Sequence, residues 1–271
     1  MGGVPGLGIR RYLLQNQPSG REACIGRNRW LWGIGVGRYN EYKNRVLRMS
    51  QKLSEHGYFG TRSGSAGNVS VIVDDEEAII VTPTRLRYDV MTGDDICVVD
   101  FDLKRIEGEL KPSMEAPMHV AAYKTRPDVS AVIHTHQRGA SALSLICEPI
   151  PPLFDEVTLA IGNIVDVIPY ALSGTRELHD MVAAKLGNRC HCYIMQNHGA
   201  LCVGPDLDET FTFVELLEKI STVYVNALAT GKPISILPEP IAAQLFAAVI
   251  ARQDRDVARK RSQSKATATG G

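Results

Sequence analysis

Apolar positions recur at helical spacing over residues 40–57, where Tyr42, Val46, Leu47 and Leu53 mark one face and His56-Gly57 offers a stop. Three short runs follow, "GNVSVIV", "EAIIVTPT" and "DDICVVDFD", whose β-branched content and flanking turn residues predict strands. "SMEAPMHVAAYKTRPD" predicts a helix, with Met118, Ala121 and Ala122 apolar and Pro127 just beyond its end. Next come a strand in "VSAVIHTH", a short helix in "QRGASALSLI", a strand in "IVDVIPY" and a helix in "TRELHDMVAAKLGN". "CHCYIMQNHG" and "ALCVGPD" read as paired strands, and a long amphipathic helix then closes at Gly231. Short strands interleaved with helices predict one α/β domain, a mixed sheet with helices on both faces.

The two ends break this pattern. Residues 1–38 are rich in Gly and Arg, carry G-x-G-x-G rather than a dinucleotide-binding spacing, and read as an extension. The patterned domain runs from 39 to 250, and 251–271, basic and then rich in Ser, Thr, Ala and Gly, read as a solvated tail. Lys plus Arg and Asp plus Glu both number 30, so no global charge recruits nucleic acid or an anionic membrane. No apolar run reaches the roughly 18–20 residues of a membrane span. The six cysteines follow no disulfide or zinc-knuckle spacing, so reduced, buried thiols and a cytoplasmic setting are expected.

Candidate chemistry lies in "AVIHTH". Residues two apart on a strand share a face, so His134 and His136 project together. Two such imidazoles can pack, pair at an interface or hold an ion. His198, at the end of the run "MQNHG" with Gly199 to turn the chain, makes a third donor. Three histidines with a fourth position open suit a catalytic Zn²⁺, or another divalent ion such as Mn²⁺, Co²⁺ or Fe²⁺. His56, His119, His179 and His191, beside turns and helix ends, are expected not to be ligands.

Acid–base work needs a nearby carboxylate. Glu115, opening the helix before the His134 strand, leads; Glu156 and Asp155 follow, although acids at helix starts also answer the helix dipole. Ser63, Ser65, Asn68 and Ser70, with Gly64 and Gly67, form a turn able to cradle an anion. Thr82, Thr84 and Ser113 add hydroxyls.

In order, "GNVSVIV", "VTPT", "LKPSMEAPMHVAAYKTRPDVSAVIHTH", "GTREL" and "NHGAL" resemble the class II aldolase/adducin family over about residues 41–237. The resemblance implies a single three-layer α/β/α domain with a mixed, largely antiparallel sheet, assembling as a homotetramer with active sites at subunit interfaces. It implies zinc on His134, His136 and His198, with Glu115 beside the metal as acid–base group. It implies phosphate held by Asn68, Thr84 and Ser113, and a phosphorylated ketose cleaved to dihydroxyacetone phosphate and an aldehyde. Related members decarboxylate, dehydrate or epimerise sugar acids and sugar phosphates, with a catalytic glutamate close to Glu156; adducin-like members lack the histidines and are structural. The chain departs from the pattern at Arg85 (Gly in the family), at Met114 (Ser), and near Asp155, where the resemblance expects a tyrosine; no tyrosine follows Tyr224. Arg85 adds a guanidinium able to grip phosphate or carboxylate with two parallel hydrogen bonds.

Overall fold

The computed structural model describes residues 37–61, 65–73 and 76–269. Most of the expected N-terminal extension, Cys24, Ser63 and Gly64 therefore lie outside the described residues. Helix α1 (Asn40–Glu55) ends at His56 and turns on Gly57 at φ +75°, the left-handed geometry glycine adopts without strain. Strands β1 (Asn68–Ile72), β2 (Ala78–Val81), β3 (Cys97–Asp100) and the exposed edge strand β4 (Arg105–Glu107) follow as an antiparallel meander. Then come α2 (Ala116–Thr125), β5 (Ala131–Thr135), α3 (Arg138–Ile146), α4 (Asp155–Ile161), β6 (Asp166–Ile168) and α5 (Arg176–Leu186). The chain closes with β7 (Cys192–Met195), β8 (Gly199–Gly204), α6 (Leu207–Leu228) and α7 (Glu239–Thr269).

The eight strands form one sheet in the order β4-β3-β2-β1-β5-β8-β7-β6. All neighbours are antiparallel except β6 and β7, which gives the mixed, largely antiparallel sheet expected. Alternation divides the core. Val69, Val71, Ala131, Ile133 and Ile194 face α1, α3, α4 and α6, whereas Ile79, Val81, Val132, Tyr193 and Leu201 face α2 and α5. Burial on both faces explains why the strands read as continuous apolar runs rather than as an alternation.

The C-terminal stretch read as a solvated tail is different. Residue 251 lies inside α7, which packs against α4 and continues to Thr269. Ala242, Val249 and Gln253 are buried and Phe246 meets the α2/α5 side of the core. The basic residues that suggested solvation have partners: Arg252 pairs with Glu209 at 3.0 Å, and Lys260 Nζ donates to the carbonyls of Pro127 and Asp128. Of the cysteines, Cys97, Cys190, Cys192 and Cys202 are free and buried as expected, but Cys147 is exposed where α3 ends in a left-handed turn (φ +54°). Among the described residues, no helix is long and apolar enough to cross a membrane.

Candidate metal centre

Strand β5 sits between β1 and β8, so three separated motifs meet at one end of it. His134 is the penultimate residue of β5, directly opposite Asn68 of β1 and Leu201 of β8. His136 lies just beyond the strand, its backbone N–H donating to the Tyr58 carbonyl. His198 closes the tight turn between β7 and β8, in which Asn197 takes the left-handed conformation (φ +53°). Gly199 serves packing rather than the turn: a Cβ there would stand 2.3 Å from the Thr135 carbonyl oxygen. Only glycine lets the hairpin lie this close to β5, and that approach delivers His198 to the other two histidines.

The three imidazoles each offer a ring nitrogen within 4.8 Å of the others. His134 Nδ1 donates to the Ala200 carbonyl at 2.8 Å, so its neutral ring presents Nε2 as a bare lone pair. Burial pushes His134 down to about 3, which keeps it neutral at physiological pH. That lone pair sits 3.0 Å from His136 Nε2 and 3.3 Å from Glu115 Oε2. Glu115 Oε1 stands 3.2 Å from His198 Nε2, and this buried oxygen has no hydrogen bond. Lone pairs and a carboxylate converging on one point call for a cation, and a neutral three-imidazole set with a carboxylate alongside suits a divalent one.

Glu115 precedes the first turn of α2 but caps nothing, so its side chain is free to reach the histidines. Burial pushes its carboxyl up, but the adjacent His198 ring and hydrogen bonding from the Asn68 amide act against burial, and the carboxyl lies below the usual carboxylate range. Asn68 Nδ2 donates to Glu115 Oε2 at 2.7 Å. The turn before Asn68 is fixed by Gly67, where φ is +74° and a Cβ would collide with Phe59 and the His134 carbonyl. Tyr88, stacked on Phe59, donates its hydroxyl to the Gly67 carbonyl at 2.7 Å.

Beside the histidines opens a cleft of about 420 Å³. Ser65, Asn68, Thr84, Arg85, Ser113 and Glu115 all line it, as do Met114, His136 and His198. Two backbone bonds bring Thr84 and Ser113 side by side: Thr84 N–H to the Lys111 carbonyl and Ser113 N–H to the Thr82 carbonyl, both 3.0 Å. Arg85 takes φ +58°, a left-handed geometry that glycine adopts without cost, and it is exposed. It makes no ion pair among the described residues.

Within one chain, some candidates lie away from the cleft. Thr82 and Ser70 are fully buried and point into the structure, where Ser70 bonds His119. Glu156 is not brought to the cleft: α4 packs on α6 and α7, and Glu156, 64% exposed, pairs with Lys219. Asp155 shares that helix start. One cleft residue was not foreseen. Ser173 lines it with Oγ 3.5 Å from His198 Nε2, signalled only by the run "GTREL" that follows. His119, expected not to be a ligand, is fully buried behind Asn68 and outside the cleft lining.

Residues 44–225 match the model of the class II aldolase and adducin N-terminal domain. The chain belongs to this family. An L-fuculose phosphate aldolase of Escherichia coli O6:H1 is 36% identical over 180 residues, covering 66% of this chain and 82% of that enzyme. A 5-deoxy-D-ribulose 1-phosphate aldolase of Bacillus thuringiensis serovar kurstaki is 29% identical over 180 residues, 66% of this chain and 83% of the other. A solved L-fuculose 1-phosphate aldolase superposes with a TM-score of 0.71 at 30% identity, covering 76% of this chain and 95% of that one.

Proposed function

We propose that the chain is a divalent-metal-dependent aldolase that cleaves a phosphorylated ketose to dihydroxyacetone phosphate, or a near relative, and an aldehyde. The observation that carries it is Glu115, an ionised carboxylate set between His134 and His198 at the edge of a cleft lined with hydroxyls and one free guanidinium. The relatives named above, which act on phosphorylated sugars, support the substrate class.

His134, His136 and His198 hold the ion, zinc or another divalent cation, with Glu115 able to join them. When bound, the ion supplies Lewis-acid stabilisation of the negative charge that develops on substrate oxygens as the carbon–carbon bond breaks. The Ala200 carbonyl and Asn68 amide fix the ring and carboxylate beforehand, so little reorganisation remains at the moment of reaction. Glu115, held ionised, accepts a proton and returns it to the carbon left behind by the departing aldehyde. Arg85, Thr84, Ser65 and Ser113 grip the phosphate, and Arg85 supplies the charge-assisted part of that grip. Met114, exposed in the cleft, supports a homotetramer that buries it and closes the site at a subunit interface.

A second reading keeps the metal centre and takes a sugar acid, which would be decarboxylated, dehydrated or epimerised. The unpaired Arg85 favours it, because a guanidinium receives carboxylate as readily as phosphate. Metal analysis of the purified protein, followed by incubation with ketose 1-phosphates and sugar acids, tests both. The expected outcome is about one divalent ion per chain, with dihydroxyacetone phosphate released from at least one ketose 1-phosphate. CO₂ release without any aldehyde would replace the first reading by the second, and absence of metal would remove both.

A further inference from the structure

Behind Glu115 runs a buried chain of hydrogen bonds of which only Asn68 lines the cleft. Tyr123 and His119 lie one turn apart on α2, over the β1 face that carries Ser70 and Asn68. Tyr123 Oη is 2.6 Å from Ser70 Oγ, and Ser70 Oγ is 2.7 Å from His119 Nδ1. His119 Nε2 is 2.5 Å from Asn68 Oδ1, and Asn68 Nδ2 is 2.7 Å from Glu115 Oε2. His119 and Ser70 are fully buried, Asn68 and Tyr123 nearly so.

The donors in this chain can run only one way. Glu115 is ionised and only accepts, so Asn68 must turn its NH₂ toward it and its carbonyl toward His119. His119 must then carry its proton on Nε2, which leaves Nδ1 to accept from the Ser70 hydroxyl, and Ser70 in turn accepts from Tyr123. Burial pushes His119 down to about 3, consistent with this single neutral tautomer.

We propose that His119 is a positioning residue for Glu115, acting through the Asn68 amide. Without the Nε2 donor, the Glu115 carboxylate alone selects between the two flips of that amide, and the preference is weaker by one buried hydrogen bond. The alternative flip sets a carbonyl oxygen against the Glu115 carboxylate and repels it from its place between His134 and His198. This role rests on those histidines forming the metal centre, and it adds a buried determinant of the carboxylate's orientation that lies outside the cleft.

Two substitutions separate positioning from packing. In His119→Gln the side-chain nitrogen can reach the place of Nε2, whereas in His119→Asn it reaches only the place of Nδ1. The full chain, stripped of metal, is titrated with Zn²⁺ against a chromogenic chelator, and its melting temperature is measured alongside. His119→Asn is expected to weaken zinc binding about 10- to 100-fold, and His119→Gln to stay within about threefold of the unaltered protein. Equal zinc affinity in both folded variants would overturn the role, as would equal losses that follow the melting temperature. If His119→Asn does not fold, His119→Met decides, since it fills similar space and offers no donor to the Asn68 carbonyl. Weaker zinc binding at an unchanged melting temperature supports positioning, and unchanged binding overturns it. Unaltered protein that binds no zinc overturns the metal centre together with this role, whereas unaltered protein that binds zinc beside indifferent variants overturns this role alone.

Discussion

In the proposed reaction Glu115 and Arg85 divide the chemistry at the residue scale, one buried in the cleft and one exposed at it. Glu115→Gln keeps the side chain's size and one oxygen but removes the charge and the capacity to take a proton. The expected result is turnover lower by about 10²- to 10⁴-fold with a divalent ion still bound, checked by steady-state kinetics beside elemental analysis. Unaltered turnover would place the proton carrier elsewhere. Arg85 makes a prediction with two opposite signs. Its φ of +58° is strained for any residue with a Cβ, so Arg85→Gly should stabilise the fold by about 1 kcal/mol. The same change removes the cleft's unpaired cation and should raise KM for a phosphorylated substrate about tenfold or more. Urea unfolding and initial rates read the two effects separately. A rise in KM without a gain in stability would mean that the backbone is relaxed by other means.

The centre depends on how closely elements approach, and Gly199 sets the tightest of these distances. Gly199→Ala forces a methyl group onto the Thr135 carbonyl oxygen, 2.3 Å away, and must part β8 from β5. A loss of about 3 kcal/mol, the upper end of overpacking, is expected, with metal affinity falling because His198 moves off its partners. Denaturant melts and a zinc titration would show both, and a fully stable variant would contradict the account. The sequence announced Gly199 as a turn residue, yet the turn conformation falls to Asn197, and the requirement for glycine comes from a neighbouring strand more than 60 residues earlier. That contact is tertiary, and no local pattern carries it. His134, His136 and Glu115 were legible because strand alternation and a helix start are local. His119 was not, because its burial depends on α2 lying over β1. The C-terminal stretch reads as a tail through its composition: its basic residues outweigh Gln253, buried against His191 on the helix that Ala242, Phe246 and Val249 anchor before it. Glu156, an acid at a helix start, is turned by α4 toward Lys219 and solvent within one chain.

Across the whole molecule, buried histidines make the fold sensitive to acid even though its formal charges balance. Burial pushes His119 and His134 down to about 3 and His191 to about 4. His191 belongs to no metal site. Its Nδ1 donates to the Val203 carbonyl and its Nε2 accepts from Gln253, a residue of α7 whose amide also donates to the Arg189 carbonyl. The neutral ring thus joins the sheet to the C-terminal helix, and a protonated ring would set a donor against the Gln253 donor. In the unfolded chain the same histidine titrates near 6.5. Its folded value is depressed, so between about 6.5 and 4 the unfolded state binds the proton and the folded state does not. Stability from this residue is therefore complete above 6.5 and is lost as pH falls, at up to about 1.4 kcal/mol per pH unit. His119 adds to the same slope. Calorimetry of the metal-free protein from pH 8 to pH 5 should show the melting temperature steady at first and then declining below about 6.5. His191→Gln, which can accept from Gln253 and cannot titrate, should show a shallower decline from a lower starting point. A melting temperature that holds to pH 5 in the unaltered protein would mean that these rings are not neutral and buried in the folded state. Adding zinc should raise the melting temperature by mass action at pH 7.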